Sequence, residues 1–264
     1  MATALFFHAH PDDEAIATGG TIAKAVASGH RAIIVTATGG EHGAVADGFL
    51  RPGETLGERR AVEMQDAAVA LGADHAFLGY VDSGMEGTPE NDAPDCFWQA
   101  DLDDAAEKLA EILTKEQVDV LVVYDDHGGY GHPDHVQVHR VGVRAAGRAG
   151  TKVVLESTID RDRLRSLMAM AAELGLGGEE GAETPEVALD DSFGSAAHQI
   201  TTRVDVRDFL EQKRKAMAAH ASQIAETSFF LAMPPQAFEA VWGTEEFIRR
   251  GDPIADDVDI FTGI

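Results

Sequence analysis

The sequence predicts an α/β fold, a doubly wound and mainly parallel sheet with a smaller C-terminal α+β appendage. Over the first 160 residues, short β-branched or aromatic apolar runs alternate with longer, Ala-rich segments whose apolar residues recur at helical spacing. The short runs are nearly continuous in apolar character, as strands buried on both faces must be. Glycine stands just beyond three of the four helical segments in this stretch, where a left-handed C-cap belongs. Strand alternating with helix in this way gives a Rossmann-like arrangement with helices on both faces of one sheet.

Taken in order, residues 4–7, 32–37, 76–78, 118–124 and 153–155 are the predicted strands. Between them lie helices at 21–28, ended by Gly29; 58–71, ended by Gly72; 101–115; and 133–146, opened by Pro133 in its first turn and ended by Gly147. Residues 161–174 continue as a helix, with Leu164, Leu167, Met168 and Ala171 forming its apolar stripe. The composition then shifts, and residues 175–198, rich in Gly, Pro and acidic side chains, read as a flexible surface loop that covers the site. Residues 201–206 suit a strand, 207–223 a helix, and the remainder a short irregular tail that includes Trp242. This places a catalytic domain at residues 1–160 and a smaller region at 161–264.

Composition narrows the function classes. At 264 residues, 44% hydrophobic and 25% charged, the chain fits an ordinary globular protein and excludes disordered, collagenous and disulfide-scaffold readings. Asp and Glu total 46 against 21 for Lys and Arg, a formal charge of −25, so a phosphate backbone is repelled and no nucleic-acid partner is expected. A single cysteine, Cys96, can form neither an internal disulfide nor a thiolate metal cluster. The opening apolar run stops at His8, too short for a secretory signal, and no stretch approaches the roughly 20 apolar residues of a membrane span. A cytoplasmic location without a membrane partner is expected; the oligomeric state is left open.

Two clusters carry the chemistry. The first strand runs into His8-Ala9-His10-Pro11-Asp12-Asp13-Glu14, and the strand at 118–124 runs into Asp125-Asp126-His127-Gly128-Gly129-Tyr130-Gly131-His132-Pro133-Asp134-His135. In an open parallel sheet, ligands bind beyond the carboxyl ends of the strands, so both clusters belong at one crevice. Imidazoles with carboxylates suit zinc, and a catalytic zinc keeps three protein ligands with one position open. Without cysteines, His2Asp is the natural set.

The segments His10-Pro11-Asp12-Asp13-Glu14, Asp82-Ser83-Gly84-Met85 and Gly128-Gly129-Tyr130-Gly131-His132-Pro133-Asp134-His135, in that order, resemble the zinc-dependent de-N-acetylases of the PIG-L (LmbE-like) family. Within it the pattern looks most like the mycothiol-pathway branch, which includes an N-acetylglucosaminyl-inositol deacetylase and an S-conjugate amidase. The resemblance covers roughly the first 150 residues. It implies a hydrolase that frees an acetyl group from a small-molecule amino sugar. By the same resemblance His10, Asp13 and His135 are the Zn2+ ligands and Asp12 the general base. His132 becomes the general acid or electrostatic stabiliser, oriented by Asp134, and Tyr130 helps hold the oxyanion. Arg60 and Asp82 are placed against substrate hydroxyls. Fe2+ suits the same ligands, since they do not select by softness.

Rival readings are an amidase that cleaves a bulkier acyl group, a deacetylase that tailors natural products, and a non-catalytic zinc- or sugar-binding module. A structural zinc is usually closed by four protein ligands, whereas three stand out here. The first loop lacks a G-x-G-x-x-G arrangement, which weakens a dinucleotide site. His135 and His139, four apart, could share a helical face, but Val136 stands where a two-histidine zinc helix has its glutamate. His8 is close enough to His10 to support it. His30, His75, His198 and His220 show no partner in sequence and read as structural or solvated.

Overall fold

The computed structural model describes residues 1–173, 192–251 and 259–264. In chain order its elements are β1 (Thr3–His8), α1 (Asp13–Ala17), α2 (Gly19–Ala27), β2 (Arg31–Thr38), α3 (Leu56–Leu71), β3 (Asp74–Tyr80), α4 (Leu102–Lys115) and β4 (Val120–Tyr124). There follow the single turn α5 (Gly128–Gly131), α6 (Pro133–Ala149), β5 (Val153–Thr158), α7 (Arg161–Glu173), β6 (Thr202–Asp205), α8 (Leu210–Ala219), α9 (Phe229–Ala232), α10 (Pro235–Trp242) and β7 (Thr244–Arg249). The strands form one sheet in the order β3-β2-β1-β4-β5-β7-β6, parallel from β1 to β5 and antiparallel where β7 joins β5 and β6.

Side chains alternate across β1 and divide the core in two. Phe6, with Ile34 and Val122, packs toward Ile22, Met64, Leu71 and Met217 of α2, α3 and α8. Phe7, with Val35, Leu121 and Val123, packs toward Leu109, Leu113, Val138 and Val141 of α4 and α6. Both phenylalanines are fully buried, and each such side chain stabilises the fold by about 1.5–3 kcal/mol relative to exposure. No helix among the described residues is long and apolar enough to cross a membrane.

The order 3-2-1-4-5 reverses direction between β1 and β4, which pair through Ala4–Val120, Leu5–Leu121 and Phe6–Val122. At such a switch point the connecting loops leave in opposite directions and open a crevice at the carboxyl ends of the strands. The two motif-bearing loops are the ones that leave β1 and β4.

Several expectations need correction. The tail predicted to be irregular contains α10 and the strand β7, which lies between β5 and β6. Thr244-Glu245-Glu246-Phe247 carries two charges where a buried strand is expected to be apolar. Glu245 is neutralised by Lys213 (2.6 Å) and Glu246 by Arg163 (2.8 Å), which is how both are accommodated inside. The helix expected over 207–223 is a 3-10 turn (Arg207–Phe209) followed by α8, which stops at Ala219. α6 passes Gly147 and ends at Ala149, where Gly150 takes the left-handed cap at φ 68°. Of the acidic segment 175–198, residues 175–191 lie outside the described residues.

Candidate metal centre and active site

The loop after β1 folds back so that α1 starts at Asp13. Asp13 Oδ2 accepts the His10 backbone N–H (2.8 Å) and stands 3.4 Å from His10 Nδ1 and 3.4 Å from His135 Nε2. Ligand–metal bonds of about 2.0–2.1 Å in a tetrahedron put neighbouring donor atoms roughly 3.3–3.4 Å apart, so both separations fit one shared ion. His135 comes from the first turn of α6. Its Nδ1 faces the Gly128 carbonyl (3.2 Å), which can only accept, so the proton sits on Nδ1 and Nε2 presents its lone pair. That Nε2 is buried and has no hydrogen-bond partner, which fits a lone pair kept for a metal ion. The Tyr124 ring stacks on the imidazole (centroids 4.3 Å, 7°) and fixes its plane.

His10 is held from its far side. Its Nε2 donates to Asp134 Oδ2 (3.1 Å), with Asp82 Oδ1 at 3.5 Å, which leaves Nδ1 facing Asp13. Asp134 is fixed in turn by the Ser83 backbone N–H (2.9 Å) and the Ser83 hydroxyl. The Asp134 carboxylate therefore orients His10, not His132 as expected. His132 receives only the Asp134 backbone N–H, at its Nδ1 (3.1 Å). Burial alone would lower His10, yet Asp13, Asp134 and Asp82 hold it well above its ordinary value. Asp13, which burial would raise, is held well below its own range by His135 and His10. A carboxylate kept ionised between two imidazoles is a donor set suited to a divalent cation. Among the described residues, the groups whose donor atoms all lie within 4.8 Å of one another are His10 with His132 and His135, and His10 with Asp82 and Asp134; Asp13 belongs to neither and meets His10 and His135 pairwise.

Asp12, beside Asp13, adopts φ 119°, ψ −29°, a conformation that costs a non-glycine residue about 1–3 kcal/mol. Arg60 reaches it from α3, a helix opened by a Thr55–Glu58 capping box. The Arg60 Nη2 donates to the Pro11 carbonyl (2.5 Å) and lies 3.3 Å from Asp12 Oδ2, while Nη1 donates to the Gly40 carbonyl (2.9 Å). Burial raises the Asp12 carboxyl to about 6, against the pull of the Arg60 guanidinium.

The two residues expected to line the substrate wall are thus buried, Arg60 at 3% exposure and Asp82 at 4%. Asp82 spends its carboxylate on the backbone N–H groups of Gly84 (2.8 Å) and His42 (3.1 Å). Tyr130, by contrast, is 50% exposed and stands edge-on to His135 (4.9 Å) and His132 (6.3 Å). The turn that carries it needs glycine: Gly128 sits at φ 71°, and a Cβ there would lie 2.7 Å from His135 Cβ. Burial pushes His132 down to about 4.

The remaining candidates separate cleanly. His8 is buried, 2.9 Å from the Tyr124 hydroxyl and 2.9 Å from Thr18 Oγ1, and supports the stack on His135 through Tyr124. His139 faces the Tyr124 carbonyl (3.0 Å) and joins none of the candidate metal groups. Sequence reasoning gave no role to Glu14 or His220, which form a fully buried pair with Nε2 2.7 Å from Oε1. Glu14 lay inside the first motif as a signal, whereas nothing marked His220.

A family profile described as GlcNAc-PI de-N-acetylase (PIG-L) matches residues 5–146. A 1D-myo-inositol 2-acetamido-2-deoxy-alpha-D-glucopyranoside deacetylase from Nocardiopsis dassonvillei is 39% identical, over 98% of this chain and 100% of its own length. Among solved structures, the 4-carboxy-2-hydroxymuconate hydratase GalB from Pseudomonas putida superposes with a TM-score of 0.62 at 17% identity, covering 98% of this chain and 100% of its own. N,N'-diacetylchitobiose deacetylase from Pyrococcus horikoshii superposes at 0.57 with 21% identity, over 94% and 83%. At such identities the superpositions establish the fold alone, a mainly parallel sheet covered by helices on both faces.

Proposed function

The chain belongs to the PIG-L family of GlcNAc-PI de-N-acetylases, and from that membership we propose that it hydrolyses the acetamide of an amino sugar linked to inositol. The substrate is the 2-acetamido-2-deoxy-glucopyranoside of 1D-myo-inositol for which its nearly full-length relatives are named. One observation carries the mechanism: a single carboxylate oxygen of Asp13 stands 3.4 Å from two imidazole nitrogens of separate loops, one of them buried and unpartnered.

His10, Asp13 and His135 would hold the ion, with zinc the reading best suited to two imidazoles and one carboxylate. Such an ion polarises an amide carbonyl and lowers the pKa of water from about 16 to about 7. Asp12 takes the proton of the attacking water. Its carboxyl, held at about 6, is ionised near neutral pH yet basic enough to accept that proton. His132, whose Nδ1 accepts from the Asp134 backbone, carries its proton on Nε2 and donates a hydrogen bond to the developing oxyanion as a neutral ring. Asp12 then delivers the proton it has taken to the departing amine. Tyr130 closes the exposed side of the same oxyanion. Arg60 holds Asp12 in place and Asp134 holds His10.

Amine release by zinc-loaded protein tests this reading. The N-acetylglucosaminyl-inositol is expected to be cleaved in preference to N-acetylated peptides, and a bulky S-conjugate acyl analogue more slowly. Activity confined to non-sugar amides contradicts the substrate class, and equal rates on acetyl and bulky acyl groups would favour the amidase.

A further inference from the structure

The short helix α1, which begins at Asp13, is gripped at one end by Lys213 of α8 and at the other by His220, the residue that caps α8. At its C-terminal end, Lys213 Nζ donates to the Ile16 carbonyl (2.6 Å) and pairs with Glu245 Oε1 (2.6 Å). The Glu245 carboxylate in turn accepts the Gly20 and Thr21 N–H groups (2.9 and 2.7 Å) at the start of α2. At the N-terminal end of α1, His220 Nε2 lies 2.7 Å from Glu14 Oε1, and both side chains are fully buried. The other oxygen of Glu14, Oε2, accepts the backbone N–H of Asp12 (3.0 Å).

That last bond falls where the loop most needs support. Asp12 and Gln117 are the only non-glycine residues among those described with positive φ, and two side chains brace Asp12 there. One is Arg60 and the other is Glu14. A buried carboxylate stays aimed only when both oxygens are satisfied, and His220 satisfies the one that Asp12 does not. We infer that His220 is a positioning residue for hydrolysis: acting through Glu14, it locks the Asp12 backbone in its left-handed turn, so that the C-terminal helix sets where the base stands. This rests on the reading of Asp12 as the general base.

Because His220 touches neither ion nor substrate, its loss acts on alignment and leaves the ligands in place. In metal-loaded full-length protein, His220→Phe keeps the ring volume and removes the donor, whereas His220→Gln keeps a donor. His220→Phe is expected to lower kcat about 10- to 100-fold, with KM within about 2-fold and the metal content unchanged. His220→Gln should recover most of that loss. In an Asp12→Ala background, His220→Phe should cost nothing further, since the residue through which it acts is gone. The inference is overturned if Gln is as damaging as Phe, if the Phe effect adds in full to that of Asp12→Ala, or if metal is lost with activity. Should the Phe variant not fold, Glu14→Gln, which keeps an acceptor for the Asp12 N–H, is compared with Glu14→Ala on the same readouts. Asp12→Ala alone separates the two ideas: full activity there removes the base itself, whereas an inactive Asp12→Ala with an unaffected His220→Phe removes only the positioning role.

Discussion

The two walls of the cleft are held in different ways. The wall that carries the proposed metal ligands is assembled locally, because His10 and Asp13 share one turn, His135 is tethered to Gly128 seven residues before it, and Tyr124 at the end of β4 stacks on its ring. The wall that carries the proposed base is assembled from a distance, because Asp12 is contacted by Arg60 on α3 and by Glu14, which pairs with His220 beyond α8. Ligand geometry is therefore written into the motifs, and alignment of the base into the tertiary fold. Substitutions on the first wall should remove the ion, and those on the second should leave it bound and idle.

The largest effect is expected from His10→Ala. Metal analysis should find the ion lost and turnover reduced by about 10,000-fold or more, since both water acidification and carbonyl polarisation go with it; full metal content would break the distinction at once. Asp12→Ala should retain the ion and lose about 100- to 10,000-fold in kcat. Arg60→Met leaves the Pro11 and Gly40 carbonyls and the partly buried Asp12 carboxylate without their donor and should lower the unfolding free energy by about 1–3 kcal/mol in denaturant titrations. Asp134→Asn weakens the grip on His10 and should raise the metal dissociation constant about 10- to 100-fold.

The smallest effect is a pH dependence of stability. Burial would raise Glu14 and lower His220, but their mutual attraction prevails, so Glu14 is held below its ordinary value of 4.5 and His220 above 6.5. The stabilisation from His220 is complete below its unfolded value and lost as pH rises through the raised one. That from Glu14 is complete above its unfolded value and lost as pH falls through the lowered one. Wild type should thus exceed His220→Phe in Tm most clearly between about pH 4.5 and 6.5, with the margin shrinking by about 2–4 °C toward pH 9. A margin that grows with pH would contradict the pairing.

The same contrast explains what could be read from the sequence. Parallel strands announce themselves by continuous apolar runs, and the motif loops by polar residues crowded at strand ends, so β1, β2, β4 and the meeting of their loops were legible. β7 was hidden because Glu245 and Glu246 interrupt its pattern, and their partners Lys213 and Arg163 are distant in sequence. Arg60 stands three residues before Glu63, the spacing of an ion pair on a helix surface. Instead Glu63 turns to the Ser222 backbone N–H and hydroxyl (2.9 and 2.6 Å), leaving Arg60 to the Asp12 loop. His220 stands alone in sequence, and only the packing of α8 against α1 gives it a partner.

The central claim is that one divalent ion is shared by loops that leave β1 and β4. Anomalous diffraction from zinc-loaded crystals tests it most directly. The account predicts a single strong peak bonded to His10, Asp13 and His135, with Asp12 and His132 beside it but not bonded. A peak held by His10, His132 and His135 without Asp13, or by His10 with Asp82 and Asp134, would contradict it.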